Sequence, residues 1–176
     1  MIAALADGEP ADLDKPVGNS NGVELITADS ERGREILRHS TAHVMAQAVL
    51  DLWPGAHFAI GPPIEDGFYY DFELPGGARF SDEDLLRIEE RMRAIVAEDQ
   101  PFIREEHPVA EGLEMFADQP FKVEIIEKVA AEEGATTVSA YRNSARFVDL
   151  CRGPHVPSTK RLGHFKLLRV PGAYWR

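Results

Sequence analysis

The sequence predicts an α+β domain, an antiparallel β-sheet with helices packed against it. Three observations point there. Two segments, 29–52 and 81–98, begin on capping residues and carry apolar side chains at helical spacing. Over 67–73, Phe68, Tyr70 and Phe72 alternate with Tyr69, Asp71 and Glu73, the period of a half-buried strand. Strand-like runs near 136–142, 146–151 and 163–170 then complete a pattern in which strands and helices are grouped.

Taken in order, residues 1–22 hold few large apolar side chains and contain Gly8, Pro10, Pro16, Gly18 and Gly22, so a linker or the remnant of something longer is expected there. Val23-Glu24-Leu25-Ile26 reads as a short strand. Asp29 or Ser30 caps a helix whose apolar face includes Ile36, Leu37, Val44, Val49 and Leu52, and Trp53-Pro54-Gly55 stops it. Strands at 57–61 and 67–73 flank Pro62-Pro63-Ile64-Glu65-Asp66. Gly76-Gly77 turns the chain, Ser81 caps a helix with Leu85, Ile88, Met92 and Ile95 on one face, and Pro101 ends it. A strand at 102–107 and helices at 109–117 and 121–132 precede the final strands.

A chain of 176 residues with 44% hydrophobic and 28% charged side chains has room for one core that needs neither disulfides nor a structural metal. Cys151 is its one cysteine, which excludes an internal disulfide and fits a reducing cytosol. The N-terminus has no basic stretch of the signal-peptide kind, and no apolar run reaches the roughly 20 residues of a membrane span. A cytoplasmic protein with no membrane partner is expected. The net charge of −11 argues against an open-ended grip on phosphate backbone. Between residues 152 and 176, however, Arg152, Lys160, Arg161, Lys166, Arg169 and Arg176 occur without an acid. Such a face suits one RNA end, and equally an ordinary charged surface.

Two constellations carry chemistry. His39 and His43 stand four apart on a helix, about 6 Å of rise, so their rings project from one face toward one metal, water or carbonyl. Ser40 follows His39, so the glutamate of the zinc-peptidase pattern is absent; a structural histidine pair remains the alternative. In Cys151-Arg152-Gly153-Pro154-His155, a strand enters a rigid turn. The preceding alternation puts Asp149 and Cys151 on one face, Val148 and Leu150 on the other. A carboxylate and a thiol beside a histidine have little packing value, although a lone cysteine commonly serves as a small buried hydrophobe. Together His39, His43, Cys151 and His155 are candidate metal ligands, a set suited to tetrahedral zinc, and equally to a metal-free hydrolytic pocket. Lys122, between Phe121 and Val123 at a helix start, is a third candidate; a stem lying along apolar surface is the plainer reading. Tyr70 points inward, as packing alone would require. His164 and Lys166 face outward on the last strand, while His57 and His107 support no reading.

Five motifs occur in order: His39-Ser40-Thr41-Ala42-His43, Ile60-Gly61-Pro62-Pro63-Ile64, Gly67-Phe68-Tyr69-Tyr70-Asp71, Phe147 through His155 and Gly172-Ala173-Tyr174-Trp175-Arg176. On these motifs the chain, over about 23–176, resembles the editing domain of bacterial threonyl-tRNA synthetase. The HxxxH pattern is shared with the alanyl-tRNA editing branch. The run ending at His155 and the terminal Gly-Ala-Tyr-Trp-Arg favour the threonyl branch.

The resemblance implies that residues 1–27 are a linker or the remnant of a ubiquitin-like domain and 28–176 the tRNA-editing domain. It implies hydrolysis of serine mischarged on threonine tRNA, with the 3′ end of that tRNA and the remainder of the synthetase as partners. The catalytic core and anticodon-binding domain lie outside the match, so neither ATP binding nor tRNA charging is expected, and a monomer is. Serine lacks one methyl of threonine, which gives only about 1–3 kcal/mol of discrimination, so a second sieve is needed. By the resemblance His39, Lys122 and His43 are catalytic and Tyr70, Asp149, Cys151 and His155 bind substrate. No metal is required, although alanyl-type relatives hold zinc through HxxxH and CxxxH. The competing readings are a freestanding trans-editing alanyl- or threonyl-tRNA deacylase, zinc-dependent or not, and a non-catalytic RNA-binding module.

Overall fold

The computed structural model describes residues 1–172. Of the Gly172–Arg176 motif, positions 173–176 lie outside the described residues.

The centre of the molecule is α1 (Glu31–Leu52), entered through Ser30, whose Oγ accepts the Gly33 N–H at 3.1 Å. Ten consecutive residues of α1, Ser40 to Val49, are buried. A helix enclosed on every side needs small side chains where neighbours approach, and Ala42, Ala46 and Ala48 supply them. The amphipathic stripe expected from Ile36 to Leu52 is therefore only part of its packed surface. Against it lies α2 (Asp82–Ala97). Its start is fixed by a reciprocal capping box between Ser81 and Asp84, and its buried face is Ile88, Met92 and Ile95. The box is worth about 1 kcal/mol, less than the roughly 1.5–3 kcal/mol gained from burying any one of those side chains.

The main sheet is antiparallel, in the order β10 (Phe147–Leu150), β9 (Thr137–Ser144), β8 (Ile103–Pro108). Helices α3 (Val109–Met115) and α4 (Pro120–Glu133) belong to one face, where Phe116, Ile126 and Ala140 pack with Val148 and Leu150. The other face presents Tyr141 and Phe147 to the core that surrounds α1. Asp149 lies directly across from Tyr141 in the ladder, so both project to the α1 side. The α+β architecture is the expected one, with antiparallel sheets and helices grouped against them.

Three local expectations are corrected. Residues 1–22 are not a plain linker. They hold β1 (Ala3–Ala6) and β2 (Glu9–Ala11), which pair with β3 (Val23–Ile26) in the order β2-β1-β3 and bury Ile2, Ala3, Ala4 and Ala11. Alanines do not announce a strand; the hairpin turns at Asp7-Gly8, where both residues take positive φ, 51° and 85°, as a tight primed turn demands. The strands expected at 57–61 and 67–73 form two small two-stranded sheets instead, one nested within the other along the chain. These pair β4 (His57–Phe58) with β7 (Phe72–Glu73) and β5 (Pro63–Ile64) with β6 (Gly67–Phe68). Pro62 and Pro63 have no N–H to donate, so one continuous ladder cannot cross them. Finally, 163–170 alternates in exposure but joins no sheet among the described residues; the Leu167 N–H is taken by the Glu89 carboxylate at 2.7 Å rather than by a neighbouring strand.

Candidate active site

Two elements distant in sequence meet at one place. The middle of α1 delivers His39, Ser40 and His43, and the end of β10 with its following turn delivers Asp149, Cys151 and His155. His39 Nε2 lies 2.9 Å from Cys151 Sγ, which is 3.4 Å from His155 Nε2 and accepts the Gly153 N–H at 3.2 Å. The His155 ring is sandwiched between Phe102, at 4.7 Å between centroids, and His39, at 4.5 Å, both nearly parallel to it. Ser40, enclosed within α1, shares a 2.9 Å hydrogen bond with His155 Nδ1 and accepts the Val156 N–H. The turn can approach so closely because of Gly153: at φ +72° it has no side chain, and a Cβ there would stand 1.9 Å from Tyr141 Oη.

Beneath this histidine–thiol layer is an ionic one. Lys122, in the first turn of α4, points its ammonium to Asp149 Oδ1 at 2.6 Å and to Tyr70 Oη at 2.9 Å. Tyr70 in turn donates to Asp149 Oδ2 at 2.5 Å, and His43 Nε2 stands 3.4 Å from the same oxygen. The ammonium also rests 4.5 Å above the Phe58 ring. Lys122 is 1% exposed and Asp149 fully enclosed, so the stem is not lying along a surface; the charge itself is buried and paired. Gly61 makes room for Tyr70, whose ring would be 2.2 Å from a Cβ at that position.

Burial sets the protonation states. Desolvation holds His39 below the ordinary histidine range, with the Asp149 charge acting in the opposite sense. His43 and His155 lie well below it, again through burial first and their neighbouring rings second. Burial, then the Asp149 charge, pushes the Cys151 thiol up to about 12. Tyr70 is raised well above the ordinary phenol for the same two reasons. At neutral pH the site therefore holds neutral imidazoles and a protonated thiol. A protonated thiol is a poor nucleophile, which favours attack by water over attack by sulfur.

Access is through a cleft of about 620 Å³ whose lining includes His39 and Cys151. Its walls bring together Glu9 and Pro10 of the N-terminal hairpin, Arg32 and Glu35 of α1, Pro63, and Arg152 to Pro154 of the turn. Arg32 and Arg152 share that lining with the carboxylates of Glu9 and Glu35, and Arg152 also pairs with Glu133 at 2.7 Å.

All seven residues singled out in the sequence, His39, His43, Tyr70, Lys122, Asp149, Cys151 and His155, converge here. The donor atoms of His39, His43, Cys151 and His155 lie within 4.8 Å of one another, a group that could hold a metal. Nitrogen and sulfur donors in that number fit zinc by their chemistry, and His43 Nδ1 is a buried nitrogen without a hydrogen-bond partner among the described residues. The remaining histidines stay peripheral. His57 pairs with Glu73 and His107 with Glu105, while His164 is exposed. Lys166 is engaged by Glu89 at 3.2 Å. Sequence reasoning passed over Ser40, Asp12, Tyr141 and Phe102, which hold His155 in place; none carries a local signature.

The family described as threonyl and alanyl tRNA synthetase second additional domain matches residues 138–172. Over 175 residues, 99% of this chain, the sequence is 53% identical to a threonine–tRNA ligase of Rubrobacter xylanophilus and 50% identical to one of Streptococcus equi subsp. zooepidemicus. A threonine–tRNA ligase of Streptococcus sanguinis is 47% identical over the same length. The chain spans about a quarter, 26%, of the length of these curated relatives.

Proposed function

We propose, for a chain that belongs to the threonyl and alanyl tRNA synthetase second additional domain family, that its site hydrolyses the ester of serine mischarged on threonine tRNA. The observation that carries the reading is an open cleft lined by neutral His39 and by Cys151, with the enclosed Lys122–Asp149 ion pair packed behind them. In the reaction a water oxygen attacks the ester carbonyl carbon. The bond between that carbon and the terminal ribose oxygen breaks, and a proton from the water passes to the ribose oxygen as it leaves.

His39, in the lining of the cleft, is the group placed to contact the ribose hydroxyl or to guide the water. Lys122 supplies the fixed positive charge that steadies the developing oxyanion or holds the water; His43 supports it from beneath. Asp149 keeps Lys122 and Tyr70 in place and offers negative charge to the amino group of the ligand. Cys151 and His155 shape the small side-chain slot, with Tyr70 at its back. Arg32 and Arg152 face the phosphates of the 3′ end. In this reading 28–176 is the editing unit and 1–27 is a linker or the remnant of a ubiquitin-like domain.

The four-donor cluster supports a second reading, a zinc-dependent deacylase, in which His39, His43, Cys151 and His155 would hold the ion and the ion would polarise the ester carbonyl. One experiment separates the readings: deacylation of seryl- and threonyl-tRNA by this chain, with and without chelator. Rapid loss of serine, slow loss of threonine and indifference to chelator are expected. Equal hydrolysis of the two, or none, removes the editing assignment; a chelator-dependent rate transfers it to the zinc reading.

A further inference from the structure

We infer that Asp12, in the segment after β2, is a positioning residue of the hydrolytic site and acts through His155. The inference rests on the functional reading above. Its observation is a bridge across the chain. Asp12 Oδ1 accepts the backbone N–H of His155 at 2.9 Å, and Oδ2 accepts the Tyr141 hydroxyl at 2.6 Å. The contact joins residues 143 positions apart, the N-terminal sheet on one side and the catalytic turn on the other.

The turn depends on such an anchor. Gly153 sits at φ +72° with no side chain of its own to pack, and Tyr141 Oη fills the space beside it. Tyr141 therefore presses on one end of the turn while Asp12 holds both Tyr141 and the backbone of His155. Ser40 fixes the same histidine by its Nδ1, and the Phe102 and His39 rings fix its plane. Of these supports, Asp12 alone comes from the N-terminal segment, whose Glu9 and Pro10 also wall the cleft. Release of that anchor lets the Gly153–His155 turn drift. The His155 and Cys151 side chains drift with it, and an error of about 1 Å in a reacting geometry costs on the order of 100-fold in rate.

The test compares Asp12→Ala with Asp12→Asn. Asparagine keeps an oxygen for the His155 N–H and offers an N–H to Tyr141 Oη, so it retains the bridge without the charge. Three readouts are taken: seryl-tRNA deacylation as separate kcat and KM, histidine side-chain nitrogen resonances, and the rate at which iodoacetamide alkylates Cys151. Because Cys151 is the chain's one cysteine, alkylation reports that position alone. The expected result for Asp12→Ala is a fall in kcat of about 10- to 100-fold with KM changed less than about threefold. The His155 resonances shift and alkylation accelerates. Asp12→Asn stays close to the unchanged protein in all three.

Wild-type resonances and kcat in Asp12→Ala overturn the inference, as does Asp12→Asn impaired as deeply as Asp12→Ala. Should Asp12→Ala fail to fold, Tyr141→Phe takes its place, since it frees Oδ2 from its anchor. An intermediate shift of His155 then supports the inference and unchanged resonances overturn it. If the unaltered chain hydrolyses no seryl-tRNA, the functional reading falls by itself, while resonances and alkylation still decide whether Asp12 holds the turn.

Discussion

Lys122 Nζ and Asp149 Oδ1 stand 2.6 Å apart with 2% and 0% of their side chains exposed. An ion pair so enclosed is expensive to break, because removing one partner strands the other charge in a low-dielectric interior. Lys122→Met is expected to destabilise the chain by about 3–5 kcal/mol in urea unfolding and to abolish seryl-tRNA hydrolysis. The double variant Lys122→Met, Asp149→Leu should recover most of the stability and none of the activity. Recovery of both would show that the pair serves folding alone.

His39 differs from the pair in lining the cleft, half-buried. Its replacement should therefore separate catalysis from stability. His39→Ala is expected to lower kcat for seryl-tRNA by about 10²–10⁴-fold and to shift unfolding by roughly 1 kcal/mol. A variant that unfolds as the original does and still hydrolyses at the original rate removes His39 from the reaction.

The pH dependence follows from burial. His39, His43 and His155 bind protons less readily in the folded chain than in the unfolded one, whose histidines titrate near 6.5. Below about 6.5 the unfolded state binds more protons, so stability falls with falling pH, by up to about 1.4 kcal/mol per pH unit for each histidine. Cys151, raised to about 12, acts at the other end: above its ordinary range near 9 the unfolded thiol ionises while the folded one does not, so stability falls again as pH rises toward 12. Thermal unfolding across pH 4 to 11 should trace a dome with both limbs, and Cys151→Ser should remove the thiol's contribution to the alkaline one.

At the cleft mouth the charges are exposed, and their contribution should be screened by salt. Arg32→Ala is expected to raise KM for seryl-tRNA several-fold at low ionic strength, leave kcat nearly unchanged, and lose that difference as salt increases. A salt-independent defect in kcat would place Arg32 in the chemistry rather than at the entrance.

Zinc makes a separate prediction. After exhaustive dialysis the chain should carry far less than one zinc per molecule and deacylate at an unaltered rate. Added zinc should protect Cys151 from alkylation if the four donors close on it, since a bound thiolate is no longer free to react. Stoichiometric zinc that survives dialysis would reverse the expectation.

Much of this molecule was legible in its residues. The span of α1, capped by Ser30, and the span of α2, capped by Ser81, follow from local chemistry, because a cap and an apolar repeat act within a few residues. The face shared by Asp149 and Cys151, opposite Val148 and Leu150, follows from the pleat of a strand. His39 and His43 share a helix face for the same kind of reason.

What only the tertiary structure decided is which of these faces meet and which charges are hidden. That Lys122 turns inward to Asp149, and that Asp12 reaches His155, depends on contacts between segments 27 and 143 positions apart; no local pattern of spacing encodes them. The N-terminal strands were missed because small alanines gain their stability from a surface supplied by the rest of the chain. The strand expected at 163–170 failed because alternation gives only a two-sided segment, and a strand needs a neighbour to receive its hydrogen bonds.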